Sequence, residues 1–193
     1  MKNTSRYSSV NNRRYVGDNQ LQSLLFLVLL SVVGPLQAAS GDGSSGFVLN
    51  SVDAGDYGGR SVSDAGDING DGIDDLILGA SQAGPNGKTS AGESYVVFGR
   101  TGGFPAVFEL ASLFPAAGGD GSRGFVLKGV DEYDFSGNSV SGAGDINGDG
   151  IDDLIIGARN AYPNGKFFAG ESYVVFGRTS GFPAAFELES LLP

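Results

Sequence analysis

Apolar residues in this chain come in short runs, and within the repeated part none recurs at helical spacing over a useful length. Runs rich in Val, Ile, Tyr and Phe alternate with clusters of Gly, Asn, Asp and Pro, which is the pattern of strands separated by turns. Strands are predicted over residues 46–52, 60–65, 75–80 and 94–99. Residues 67–75 link the second strand to the third, and the Gly84-Pro85-Asn86-Gly87 turn leads into the fourth. Connections this short force antiparallel neighbours. Residues 104–113 add a fifth short strand or a link onward. Leu76-Ile77-Leu78 and Tyr95-Val96-Val97-Phe98 have no polar alternate residue, so their sheet must be covered on both faces. With no helix to do this, the cover must be another sheet. A sandwich would leave each outer face polar, whereas four-stranded antiparallel sheets stacked in series are the blades of a propeller. The expected fold is therefore all-β and blade-built.

The same unit occurs twice. Residues 41–115 align with 119–193 at a constant offset of 78, with 56 of 75 positions identical. AGDINGDGIDDLI at Ala65 recurs at Ala143, and AGESYVVFGRT at Ala91 recurs at Ala169. A fixed long period marks a repeat architecture. The domain reading is a leader over 1–39, one blade over 41–118 and a second over 119–193. Closed propellers take about 4–8 blades, so two units cannot close a ring alone. Two stacked blades are expected to leave residues of the Leu76–Leu78 and Tyr95–Phe98 type open on an outer face. Further blades then come from a longer chain or from self-association.

The N-terminus has a different character. Lys2, Arg6, Arg13 and Arg14 precede an apolar run over residues 24–33, followed by Pro35 and Ala38-Ala39. That is the layout of a secretory signal peptide, with a retained anchor as the alternative. Without residues 1–39 the chain holds 8 Lys+Arg against 21 Asp+Glu, a net charge near −13. Such a surface repels nucleic acid and suits divalent cations. The chain has no Cys and no His, which removes thiolate sites and leaves no imidazole base for a serine nucleophile.

The loop GDINGDGIDD carries the chemistry. Asp67, Asn69, Asp71 and Asp75 fit D-x-N-x-D-G-x-x-D, and Asp145, Asn147, Asp149 and Asp153 fit it again. Calcium takes 6–8 oxygens and needs short carboxylate and amide side chains converging from one tight loop. Alternate positions bring the first three to one side, with Gly72 for the turn after them. Ile73 and Ile151 offer backbone carbonyls, and Asp75 or Asp153 closes the shell, giving one Ca²⁺ per repeat. An EF-hand would place an acid at position 12, where Leu78 and Ile156 stand, so that reading fails. Simple Asx-Gly turns would need one such pair, not four spaced oxygens. Asp74 and Asp152 are expected to face solvent or to lie behind the ligands. Asp53 and Asp56, with Asp131, Glu132 and Asp134, read as turn caps, and Arg100 and Arg178 as exposed strand ends.

These residues resemble the FG-GAP repeat family, the blades of integrin α-chain propellers and of related bacterial extracellular proteins. The family's Phe-Gly corresponds to Tyr57-Gly58 and Phe135-Ser136, and its Gly-Ala-Pro to Gly79-Ala80-Ser81 and Gly157-Ala158-Arg159. The resemblance implies two blades of a partial integrin-type β-propeller, each with a structural calcium loop. It also implies a secreted or cell-surface protein without catalytic activity, used in adhesion or recognition of an extracellular protein or carbohydrate. The alternative is a non-catalytic propeller part of a larger extracellular hydrolase or of a surface or matrix protein.

Overall fold

The structure, a computed structural model, describes residues 42–193, so the predicted signal peptide lies outside the described residues. Among the described residues the regular elements are ten strands and short 3₁₀ turns. The strands are β1 (Val48–Asn50), β2 (Ser61–Gly66), β3 (Asp75–Ala80), β4 (Glu93–Val97), β5 (Val107–Glu109), β6 (Gly124–Lys128), β7 (Ser136–Gly144), β8 (Asp153–Ala158), β9 (Glu171–Val175) and β10 (Ala185–Glu187). No helix among the described residues is long and apolar enough to cross a membrane.

The local readings hold where apolar runs and turn residues agree. β2, β3 and β4 form an antiparallel meander, and β7, β8 and β9 repeat it. The 84–87 turn becomes a 3₁₀ turn over Pro85–Gly87, with Asn86 in the left-handed region at φ 56. Asn tolerates that conformation because its short polar side chain bonds locally.

The sheets, however, are out of phase with the sequence repeat. The strand over 46–52 was expected to begin the first blade, but β1 pairs only with β5, in parallel. The fourth strand of the first blade is β6, which lies at the start of the second repeat and pairs antiparallel with β4. β10 then adds a fifth strand, parallel to β6. The first sheet therefore has the order β10-β6-β4-β3-β2, and the second has three strands, β7-β8-β9. Periodicity alone cannot reveal this offset, since Gly46-Phe47-Val48-Leu49 and Gly124-Phe125-Val126-Leu127 are the same words.

Two cores result. Between the sheets lie Ile77, Val96, Phe98, Phe125 and Leu127 of the first blade against Val140, Leu154, Ile156, Tyr173 and Val175 of the second. Phe182 and Leu188 wedge between them, with Phe182 stacked on Phe125 at 4.1 Å between ring centroids. The opposite face of the first blade, Leu78, Tyr95 and Val97, is covered by Phe108, Leu110 and Leu113. This corrects the expectation that the outer face lies open, for Tyr95 and Val97 are at most 1% exposed; Leu76, at 37%, is the residue of that expectation that does stay exposed. Each tail segment thus lies over the face of its own blade that carries Leu78 or Ile156. The second tail adds β10 to the β6 edge of the first sheet, whereas β5 of the first tail pairs with β1 in a separate two-stranded sheet. The blades also approach closely where Gly79 meets Gly137, for a Cβ on Gly79 would strike the Gly137 carbonyl.

Candidate metal loops

Each meander turns through the Asx-rich loop. β2 leaves the ladder by a register shift between Asp64 and Gly66, and β7 does so between Gly142 and Gly144. Gly66 and Gly144, at φ 65 and 67, accept the left-handed turn that aims the chain into the loop. Asp75 and Asp153 are the first residues of β3 and β8, so each loop is closed by a residue already fixed in a sheet.

The loop side chains organise their own backbone. In the first loop the Asp67 carboxylate accepts the N–H groups of Asp71 (2.9 Å) and Gly72 (2.8 Å). Asn69 Oδ1 accepts the Asp71 N–H (2.8 Å), and Asp71 accepts the Ile73 N–H (2.9 Å). The second loop repeats this. Asp145 accepts from Gly148, Asp149 and Gly150, Asn147 from Asp149, and Asp149 from Ile151. These are interlocked Asx turns, and they put the predicted positions 1, 3 and 5 on one exposed loop.

Position 9 has a second duty. Asp75 is buried, and its two oxygens accept the N–H groups of Ile68 (3.1 Å) and Gly99 (2.8 Å). Asp153 does the same with Ile146 (3.0 Å) and Gly177 (2.9 Å). Each therefore staples its loop to the chain leaving the third strand of the meander. Burial pushes the Asp75 carboxyl up to about 7 against the two N–H bonds that favour its charge, with Asp71 and Asp67 adding repulsion. The acids are not gathered into a cage: among the described residues no three acidic side chains stand as a metal-holding group. The donors are nonetheless all oxygen, three carboxylates and one amide per loop, which in kind suits a hard divalent cation.

The loops are also neighbours. Asp152, expected to face solvent or lie behind the ligands, reaches across so that its Oδ2 accepts the Asp67 N–H at 3.0 Å. Arg178 N–H donates to the Ile68 carbonyl (3.0 Å). The two acidic turns are caps, as expected: the Asp53 N–H donates to Asp56, and the Asp131 N–H donates to Asp134. Arg100 and Arg178 do more than end a strand, since their guanidinium groups lie over Phe104 (4.5 Å) and Phe182 (4.3 Å). A further feature went unread in the sequence. Tyr95 donates its hydroxyl to buried Glu93 at 2.6 Å, and Tyr173 to Glu171 at 2.7 Å. The E-x-Y spacing that puts both side chains on one strand face was the available signal.

Fold and loop together define a repeat-built all-β protein of the propeller-blade class, with an oxygen-rich turn in each meander. The sequence pattern of the FG-GAP repeat matches residues 60–97 and 136–175, which are the two meanders with their loops. Integrin alpha pat-2 of Caenorhabditis elegans is 34% identical over 131 residues, 68% of this chain and 10% of that protein. Phosphatidylinositol-glycan-specific phospholipase D of Bos taurus is 30% identical over 115 residues, 60% of this chain and 13% of that protein. The chain thus spans only a small part of the length of either relative. It belongs to the FG-GAP repeat proteins and carries two copies of the repeat.

Proposed function

We propose that the chain is a secreted or cell-surface recognition module whose blades are held in shape by calcium, one ion per loop. The observation that supports this reading is the duplicated all-oxygen loop, closed at its base by Asp75 or Asp153, with positions 1, 3 and 5 carried on one tight Asx-turned loop. The first ion would be held by Asp67, Asn69, Asp71, Asp75 and the Ile73 carbonyl, and the second by Asp145, Asn147, Asp149, Asp153 and the Ile151 carbonyl. Its contribution is charge: it offsets three carboxylates that otherwise repel one another within one turn. Ligand recognition falls to other surfaces, toward an extracellular protein or carbohydrate. The match to an integrin alpha chain supports adhesion. The match to a phospholipase D supports the second reading, a non-catalytic part of a larger extracellular hydrolase.

Titration calorimetry with Ca²⁺ tests the metal assignment. The expected dissociation constant is on the order of 10⁻⁴–10⁻³ M, as for extracellular modules. Heats unchanged in the Asp71→Ala, Asp149→Ala double variant would remove it.

A further inference from the structure

We propose that the open edge of β9 takes strand β1 of a second copy of this chain, so that copies join head to tail. The chain itself displays the finished version of this joint. On β4, the edge is filled by β6 in the register Glu93 opposite Lys128, Tyr95 opposite Val126 and Val97 opposite Gly124. β9 has the same sequence as β4, yet among the described residues nothing pairs with its outer edge. Residues 46–49, which lead into and begin β1, repeat the first four residues of β6, and among the described residues the only strand partner of β1 is β5. One chain therefore holds an unfilled slot and, elsewhere, a strand that fits it.

The slot has the shape and lining the joint requires. A groove of about 460 Å³ runs beside β9, bounded by Glu171, Ser172, Tyr173 and Val174 on one side and by Leu191 and Leu192 on the other. At the groove and around it stand residues whose counterparts are buried in the first repeat. Phe98 is 8% exposed and its counterpart Phe176 is 54%; Leu113 is 1% exposed and Leu191 is 43%. Ile77 is fully buried against the second blade, whereas Ile155 on the free face is not.

The loops beside the slot are already set for docking. Between the two blades, the carbonyls of Thr89, Ser90 and Ala91 accept the N–H groups of Tyr133, Phe135 and Ser136 at 2.9 to 3.1 Å. Ser90 and Phe135 hold positive φ of 50 and 56 in that contact. Their unpartnered counterparts, Phe168 and Tyr57, hold the same conformation at φ 55 and 57. Tyr162, Phe167 and Phe168 stand at this loop as an exposed aromatic cluster, where the first repeat has Gly84, Thr89 and Ser90. Exposed clusters of this kind mark interaction surfaces. In the joint, Phe167, Phe168 and Ala169 would receive Gly55, Tyr57 and Gly58 of the second copy. A head-to-tail contact either closes into a ring or runs on as a filament. With two blades per copy and about 4–8 blades per propeller, closure takes two to four copies.

Backbone alternation supplies the test. Val126 donates its N–H to Ala184 of the tail (2.9 Å), so Phe125 and Leu127 face β4 and the Glu93–Lys128 pair does not bond across it. The equivalent pair in the joint is Glu171 with Asn50 of the second copy. Unbonded antiparallel pairs stand about 4.5 Å apart at Cα, inside the range of about 4.4–6.8 Å that a disulfide bridges. The described chain has no cysteine of its own. Full-length Asn50→Cys and Glu171→Cys variants, mixed and mildly oxidised, are expected to give a mixed disulfide dimer that neither yields alone. Light scattering of the unaltered chain in calcium should give two to four times the single-chain mass. Val174→Pro, which removes an N–H facing the slot but none bonded to β8, should return it to one. A single-chain mass at every concentration, without the mixed disulfide, overturns the proposal. So does an oligomer that persists in Val174→Pro while residues 50 and 171 fail to cross-link.

Discussion

Asp75 and Asp153 separate two roles that share one loop. Their carboxylates are buried and each accepts two backbone N–H groups, while Asp71 and Asp149 are exposed and cap the next turn, Asp149 also accepting from the Asn147 side-chain amide. Removing an acceptor from a buried pair of donors costs about 1–3 kcal/mol for each group left unpaired. In calcium-free buffer Asp153→Ala is therefore expected to destabilise by about 2–4 kcal/mol, against about 0.5–1 kcal/mol for Asp149→Ala. Chemical denaturation measures both. Equal losses would place Asp149 in the fold as firmly as Asp153. The spacing D-x-N-x-D-G-x-x-D gives position 9 as one more ligand, and nothing in it says that this residue is stapled to Gly99 or Gly177. That contact depends on where the chain leaving the third strand passes, which is tertiary information.

At the scale of elements, the strands of each meander were legible because apolar runs and Asx-Gly turns agree over 60–99. The tail was not. Residues 104–113 read as an extra strand or a link, and the structure makes them β5 and a 3₁₀ turn over Leu110–Leu113 that roofs the first blade. Phe108 is 3% exposed in that roof, so Phe108→Ala is expected to cost about 3–5 kcal/mol by thermal or denaturant unfolding. A loss below about 1 kcal/mol would mean that the roof is not part of the folded unit.

The acidic turn at Asp134 gives a second expectation at this scale. Burial raises its carboxyl from 3.8 to about 6, with the charges of Asp131 and Glu171 adding to the rise and the Asp131 N–H opposing it. The folded state then holds its proton more tightly than the unfolded chain. Its contribution to stability is complete below about pH 4 and is lost as the pH rises through about 6. Asp134→Asn should flatten that part of the stability profile. A slope identical in the variant and the parent would assign the titration to another group.

On the scale of the whole molecule, ion binding and folding are linked. An ion held by the folded state alone, at ten times its dissociation constant, adds about 1.4 kcal/mol per site. Two loops then add about 3 kcal/mol, a rise of roughly 6–12 °C in melting temperature for a chain of this size. Scanning calorimetry with and without Ca²⁺ measures it, and the double variant Asp71→Ala, Asp149→Ala should lose the difference. Export is the other expectation at this scale. N-terminal sequencing of material from the medium should begin near residue 39, whereas Met1 on a cytoplasmic pool would contradict it.

The loan of β6 to the first blade also bears on how the chain comes off the ribosome. A blade whose closing strand belongs to the following repeat stays unfinished when its own repeat has been made. The first sheet waits for residues 124–128, and its fifth strand waits for residues 185–187. Synthesis therefore outruns folding by close to one repeat, and the newest blade always shows a raw edge to its surroundings. Meanwhile β4, with the most apolar stretch of the repeat, stands open to pairing with the wrong chain. The Glu93–Tyr95 hydrogen bond sets a charge on that strand, and a charged side chain on an exposed edge is one of the devices by which sheets resist aggregation.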